Sequence, residues 1–442
     1  MGSGWVVQEE AVRERLAMHG GAPVRSEPFG PGHVFGDDDI AALTEVVRSG
    51  HVGKGPKVEA FERAFAARHG VKHAIAVTSG TAAMHVCIGA ISPEPGDEVI
   101  VTPWTAGGTI MGALLQNCVP VFADIDETYT LDPADVEAKI TPRTRAIIAV
   151  HYLGNPCDMG ALQDIARRHG LALIEDCAQA HFAEHQGQVV GSIGDIAGYS
   201  FGGKHLSAGT GGAVLTNDTA LWERAVLFHD VALPRAGGPY AERPYGHYFL
   251  APHYIINDLT AAVLLVQLEK VDGYIASKIR AAERIIEGLA DIDELIPQAV
   301  RPGDRHTYWI LGFSLDTERL GCSADVFADA VRHEGVLLIK AENSVDARHP
   351  STGLPRMGGG GPLYNDPFLA GPDCYGDSRF PFDYERERAV EYGRGGCPKG
   401  EALMGRTVGF NMWPNLSDGD IEDIVRAFRK VALYYRGRGV SS

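Results

Sequence analysis

Several common features are missing from this 442-residue chain, and each absence removes a class of protein. No segment approaches the ~18 consecutive apolar residues of a membrane span. The start, MGSGWVVQEEAVRERLAMHGG, carries charges where a secretory leader needs an apolar stretch. Positive charge is scarce: 40 Lys and Arg face 57 Asp and Glu, a formal net charge of −17. Neither nucleic acid nor an anionic membrane is therefore expected as the main partner, because a phosphate backbone needs a basic face. The seven cysteines (Cys87, Cys118, Cys157, Cys177, Cys322, Cys374, Cys397) form no CxxC pair. Odd in number and scattered, they read as reduced thiols of a cytoplasmic protein rather than a disulfide frame or a metal site.

What is present is an alternation of short apolar runs and amphipathic stretches. HAIAVT, DEVIVTP, VPVFADI, TRAIIAVHY, LALIEDC and DIAGYSF read as strands, and TAAMHVCIGAI, TIMGALLQN and MGALQDIARRHG as the helices between them. Strands joined through helices imply crossover connections and a mostly parallel sheet covered on both faces. The fold class is therefore α/β, with a large domain at 36–265 behind an arm at 1–35. DLTAAVLLVQLEKVDGYIASKIRAAERIIEGLADI is a long helical bridge to a smaller α+β domain at 266–442. That domain holds TYWILGFSL, ADVFADAVRHEGV and the final helix DIEDIVRAFRKVALYY. A Gly/Pro-rich excursion at about 343–377 has the length of a surface loop, a lid or a dimer contact.

Ligands of such sheets sit beyond the carboxyl ends of the strands, and four stretches fall there. In VTSGTAAMHV, Ser79, Gly80 and Thr81 join a strand directly to a helix, so free N–H groups and the positive helix end can meet an anion. A helix cap with no ligand explains the same residues equally well. In VTPWTAGGT, Trp104 follows a strand and can stack on a flat heterocycle or fill an interdomain core. In LALIEDCAQA, Glu175 and Asp176 close an apolar strand, where a carboxylate can pair with a protonated ring nitrogen. Gln179 is within reach of the same ring. In SFGGKHLSAGTGG, Lys204 stands among residues too small to shield it, and a partly desolvated lysine can form an imine with an aldehyde. Taken singly, a loop lysine is a solvated charge. Together the four are the parts of a pyridoxal phosphate site.

These stretches, with GGAPVR, SGHVGKGPKVEAFERAFAARHG, IEDCAQAHFAEHQGQVVGSIGDIAGYSF and INDLTAAVLLVQLEKVD, resemble the DegT/StrS family of sugar aminotransferases. The resemblance implies a pyridoxal-phosphate-dependent transferase of fold type I, with a seven-stranded-type sheet in its large domain. It implies that Gly80 and Thr81 hold the cofactor phosphate, with Ser79 beside them and Ser200 as a further contact. Trp104 would stack on the pyridine ring, Asp176 would pair with its nitrogen and Gln179 would lie near its 3-oxygen. Lys204 would be the Schiff-base lysine. Members are homodimers with shared active sites, and Asn257 of the partner subunit is the implied phosphate contact. The lysine motif is one residue short: counted from Ser200 the lysine position is His205, counted back from Gly209, Gly211 and Gly212 it is Lys204. Relatives with His there are dehydratases, and the downstream register favours Lys204. Thr210 replaces a usual Glu, and His253 and Ile255 stand where Asn and Arg are common.

The implied reaction moves an amino group from glutamine or glutamate to a keto-sugar or keto-cyclitol in secondary metabolism. Small-molecule donor and acceptor are the expected partners. Dehydration or aromatisation on the same scaffold is the first alternative. A non-catalytic sensor is the second, disfavoured by acidity and by the lack of an appended DNA-binding module.

Overall fold

The computed structural model describes residues 14–30, 34–340, 362–370, 375–387 and 389–436. Its large sheet contains β1 (His73–Val77), β2 (Glu98–Val101), β3 (Val119–Phe122), β4 (Thr144–Val150), β5 (Ala172–Asp176), β8 (Ile196–Ser200) and β9 (Gly212–Thr216). In the chain between β5 and β8 lies a two-residue ladder of β6 (Glu184–His185) and β7 (Gln188–Val189). The seven strands run in the order β1-β9-β8-β5-β4-β2-β3. Only β9 is antiparallel to its neighbours, β1 and β8. Strands such as β4 (TRAIIAV) and β5 (ALIED) are buried along nearly their whole length, which is why they read as unbroken apolar runs rather than alternating ones.

Helices Gly80–Ala90, Gly108–Leu115 and Met159–His169 provide crossovers between the parallel strands. Local chemistry starts them: the Ser79 hydroxyl accepts from Ala82 N–H and the Asp158 carboxylate from Ala161 N–H. Each such cap satisfies an N–H that the helix cannot pair internally and is worth about 1 kcal/mol. On one face, Phe61 and Phe65 from helix Pro56–His69 pack with Tyr199 and Phe201 of the β8 region. All four rings are fully buried, so truncating either helix phenylalanine to Ala costs about 3–5 kcal/mol.

The second sheet is antiparallel: β10 (Leu295–Pro297), β11 (Ile310–Leu315), β13 (Thr407–Asn411) and β12 (Leu338–Lys340), in that spatial order. The expected domain boundary at 265/266 falls inside one continuous helix, Asp258–Gly288. Its Leu264, Leu268, Val271 and Ile275 belong to the large-sheet core, whereas Ala281, Ala282 and Ile285 belong to the small-sheet core. The passage between cores thus lies between Ile275 and Ala281. The described part of the N-terminal arm packs on the small sheet: Leu16 is fully buried in that core. Glu334, itself without exposure, accepts from Ala17 N–H (2.8 Å), Val24 N–H (3.1 Å) and Lys430 Nζ (2.8 Å). Of the expected excursion, 343–361 and 371–374 lie outside the described residues. Leu363 and Tyr364 are buried on the large-sheet core, with Leu363 N–H bonded to Pro103 O at 3.0 Å.

Candidate active site

The carboxyl ends of β1, β5 and β8 open onto a cavity of about 710 Å³, closed on its far side by residues of the small sheet. Gly80, Thr81, Asp176, Gln179, Ser200 and Lys204 all line it. The amino end of helix Gly80–Ala90 forms one wall, and the chain there is too tight for a side chain. A Cβ on Gly80 would come within 2.5 Å of Ser200 Cβ. The first N–H groups of a helix have no acceptor within it, and with the helix dipole they give this corner its preference for an anion.

Period-two alternation separates the two carboxylates that end β5. Asp176 faces the cavity. Its Oδ2 accepts from Thr109 Oγ1 at 2.7 Å and its Oδ1 from Ala178 N–H at 3.0 Å. Thr105 and Thr109 hydroxyls lie 2.7 Å apart, and since Thr109 spends its only proton on Asp176, Thr105 must donate to Thr109. Burial raises the Asp176 pKa above the usual carboxylate value, against these hydrogen bonds and the nearby Lys204 charge. A cation placed against it would reverse that shift. Glu175 points to the opposite face, accepting from Gly191, Ile193 and Gly194 N–H groups (2.7, 2.9 and 2.7 Å) and from His151 Nε2 (3.0 Å). It organises the loop before β8 and takes no part in the cavity.

Lys204 is half-buried, and desolvation brings its amine pKa down to about 8, opposed by the charge of Asp176. Its neighbour His205 is buried and turned away, donating from Nε2 to Thr307 O at 2.9 Å. Between the two, the cavity receives the lysine. Gln179 accepts from Leu153 N–H through its amide oxygen at 2.8 Å, leaving its amide nitrogen without a protein partner among the described residues.

Two expected positions, Trp104 and Ser79, lie outside the lining. Trp104 does not line the cavity: it is 2% exposed in the core, under helix Pro398–Met404, where a Cβ on Gly400 would meet its ring at 2.2 Å. The wall beyond β2 is made instead by Thr105, Ala106, Gly107 and Gly108, which carry no ring. Ser79 lies outside the lining, its hydroxyl engaged as the helix cap. Asn257, expected to serve the partner's site rather than its own, is exposed, caps helix Asp258–Gly288 and stands outside the cavity of its own chain. Thr210 donates to Thr78 O at 2.9 Å, His253 Nδ1 pairs with Asp230 at 3.2 Å, and Ile255 bridges Val77. Two lining residues carry chemistry the sequence did not flag: Thr109, which orients Asp176, and Trp309, whose ring centroid lies 3.4 Å from Lys204 Nζ. Thr109 sits five residues from the more conspicuous Trp104; Trp309 is in a run that reads only as a strand.

An anion corner at a helix start, a buried carboxylate of raised pKa and an amine of lowered pKa match in kind the phosphate, ring nitrogen and aldehyde of one molecule. That combination defines a pyridoxal-5′-phosphate-dependent transferase. Residues 34–339 match the DegT/DnrJ/EryC1/StrS aminotransferase family, and the chain belongs to it. It is an aminotransferase dependent on pyridoxal 5′-phosphate. Among relatives, it is 35% identical over 441 residues to the L-glutamine:2-deoxy-scyllo-inosose aminotransferase of Streptomyces kanamyceticus, covering 94% of this chain and 96% of that one. Spore coat polysaccharide biosynthesis protein SpsC of Bacillus subtilis (strain 168) is 32% identical over 405 residues, covering 90% and 95%. The crystal structure of 3-amino-5-hydroxybenzoic acid synthase superposes with a TM-score of 0.76 at 28% identity, covering 92% and 98%.

Proposed function

We propose that the enzyme transfers the amino group of glutamine, or of glutamate, to a keto-cyclitol or keto-sugar in an aminoglycoside-like pathway. The observation that carries this reading is the Lys204 amine facing the buried Asp176 carboxylate in one cavity. The printed names of relatives such as the scyllo-inosose aminotransferases support the donor and the acceptor class.

When bound, the cofactor supplies an electron sink for C–H cleavage and a carrier for the amino group. Gly80, Thr81 and Ser200 would hold its phosphate, and Asp176 would keep its ring nitrogen protonated, itself oriented by Thr109. Gln179 would meet the ring oxygen through the amide nitrogen that Leu153 leaves free. Lys204 would hold the aldehyde covalently until the donor displaces it. An amine with a pKa near 8 is then substantially neutral at mild alkaline pH and can accept the proton from the donor's α-carbon. It returns a proton at the acceptor carbon in the second half of the cycle. We also place the working enzyme in the cytoplasm as a homodimer with Asn257 of the partner subunit at the phosphate. In support, Asn257 is exposed outside its own chain's cavity, and the six described cysteines are buried free thiols.

The test is to supply glutamine labelled with ¹⁵N at its α-amino group together with 2-deoxy-scyllo-inosose, and to follow the label. Labelled amino-cyclitol is expected. Loss of water from the cyclitol without nitrogen transfer would replace this reading with the dehydratase.

A further inference from the structure

The turn that carries Lys204 is held from both sides by one short segment at the entrance to β11. On one side of the lysine, Gly203 O accepts from Trp309 Nε1 at 3.2 Å. On the other, His205 Nε2 donates to Thr307 O at 2.9 Å. The segment itself is fastened to the large sheet by Thr307 N–H to Gly154 O (3.0 Å) and Trp309 N–H to Leu153 O (2.9 Å). It is fastened to the small domain by Met412 N–H to Trp309 O (3.2 Å). The indole is therefore fixed along one edge and at its backbone, and its face meets Lys204 Nζ with 3.4 Å to the ring centroid. An ammonium within about 6 Å of an indole face is held by the ring quadrupole, most strongly where water is excluded.

We propose that Trp309 is a positioning residue that seats the Lys204 ammonium on its indole face whenever the lysine is not bonded to the cofactor. The seat keeps the amine in the cavity between its two proton transfers and stabilises its charged form. Other groups around the lysine act on the same charge. Asp176 at the end of β5 favours the ammonium. Lys278 from helix Asp258–Gly288 and His181 after β5 are buried neighbours whose own pKa values are lowered in part by the Lys204 charge. His205, on the lysine's own turn, is kept neutral by burial. Among them, Trp309 is the uncharged group in face contact. The inference rests on Lys204 being the cofactor lysine, but its test is made on the cofactor-free full chain and so fails or stands separately from the proposed reaction.

The amine is titrated by trace acetylation with acetic anhydride over a pH series, reading Lys204 by peptide mass. Replacing the five tryptophans biosynthetically with mono- and then trifluorotryptophan weakens the π face without changing ring shape. The Lys204 titration midpoint should fall stepwise with fluorination. Trp309→Leu should lower it by about 0.5 to 1.5 pH units, and Trp309→Phe by less. In the holoenzyme, Trp309→Leu should lower kcat for the glutamine half-reaction while KM stays within about twofold. A midpoint that is flat across the fluorination series, or that rises in Trp309→Leu, overturns the proposal.

Discussion

Lys204→Met in the cofactor-free enzyme is expected to raise stability at neutral pH, because the wild-type lysine is held where its charge is poorly solvated. Its amine pKa falls from the ordinary 10.5 to about 8, with burial as the leading cause. A folded state that binds a proton more weakly than the unfolded chain is destabilised wherever that proton is bound in both. The penalty is complete below pH 8 and disappears above pH 10.5. The full shift corresponds to about 3 kcal/mol, and partial solvent screening of a half-buried amine brings the expected gain to between about 1 and 3 kcal/mol. Methionine retains the stem's packing, so little is lost in exchange. Relief of Lys278, whose pKa of about 7 reflects burial and the Lys204 charge, acts in the same direction. Urea unfolding of both proteins at pH 7, 8, 9 and 10 measures the difference. The variant should be the more stable at pH 7, and its advantage should shrink as pH rises from 8. An offset that stays constant over that window, or a variant less stable at pH 7 than the wild type, would refute the reasoning.

Other positions give independent checks. Glu334→Ala takes the acceptor from two backbone N–H groups and leaves the Lys430 ammonium with Ala22 O and the Glu14 carboxylate alone. It should cost about 2–4 kcal/mol by urea unfolding, and a loss under about 1 kcal/mol would show that the arm is not held there. Gly80→Ala forces a methyl to within 2.5 Å of Ser200 Cβ at the anion corner. Cofactor affinity, followed by fluorescence titration, should drop at least about tenfold. Asp176→Asn keeps the volume and removes the charge that Thr109 orients. Turnover should fall by about a hundredfold or more with the fold intact by circular dichroism, and a loss of only about threefold would remove Asp176 from its assigned role.

How much of this could be read from the chain depended on whether the signal was local. The parallel strands were legible because burial on both faces leaves continuous apolar runs such as AIIAV and ALIE. Antiparallel β9 was not, since its sequence GAVLT follows the lysine turn without the helix that marks each crossover. That Asp176 and Lys204 line the cavity was legible from strand ends, where topology alone aims a side chain at the ligand edge. The direction of Trp104, offered both as a stacking ring and as core, was not legible: it lies beyond the end of its strand, where the side-chain alternation no longer applies. Packing against Gly400, nearly three hundred residues away, decides its direction. Trp309 reaches Lys204 across about a hundred residues of sequence and so left no trace in any local pattern. The two residues of the one-residue ambiguity part in space: Thr307 O holds the His205 imidazole away from the cavity that Lys204 lines.

Borohydride reduction of the purified holoenzyme, followed by peptide mapping, bears most directly on the central assignment. A single pyridoxyl group on Lys204 is the expected result. Bound cofactor with no reducible adduct, or an adduct on Lys278, would contradict it.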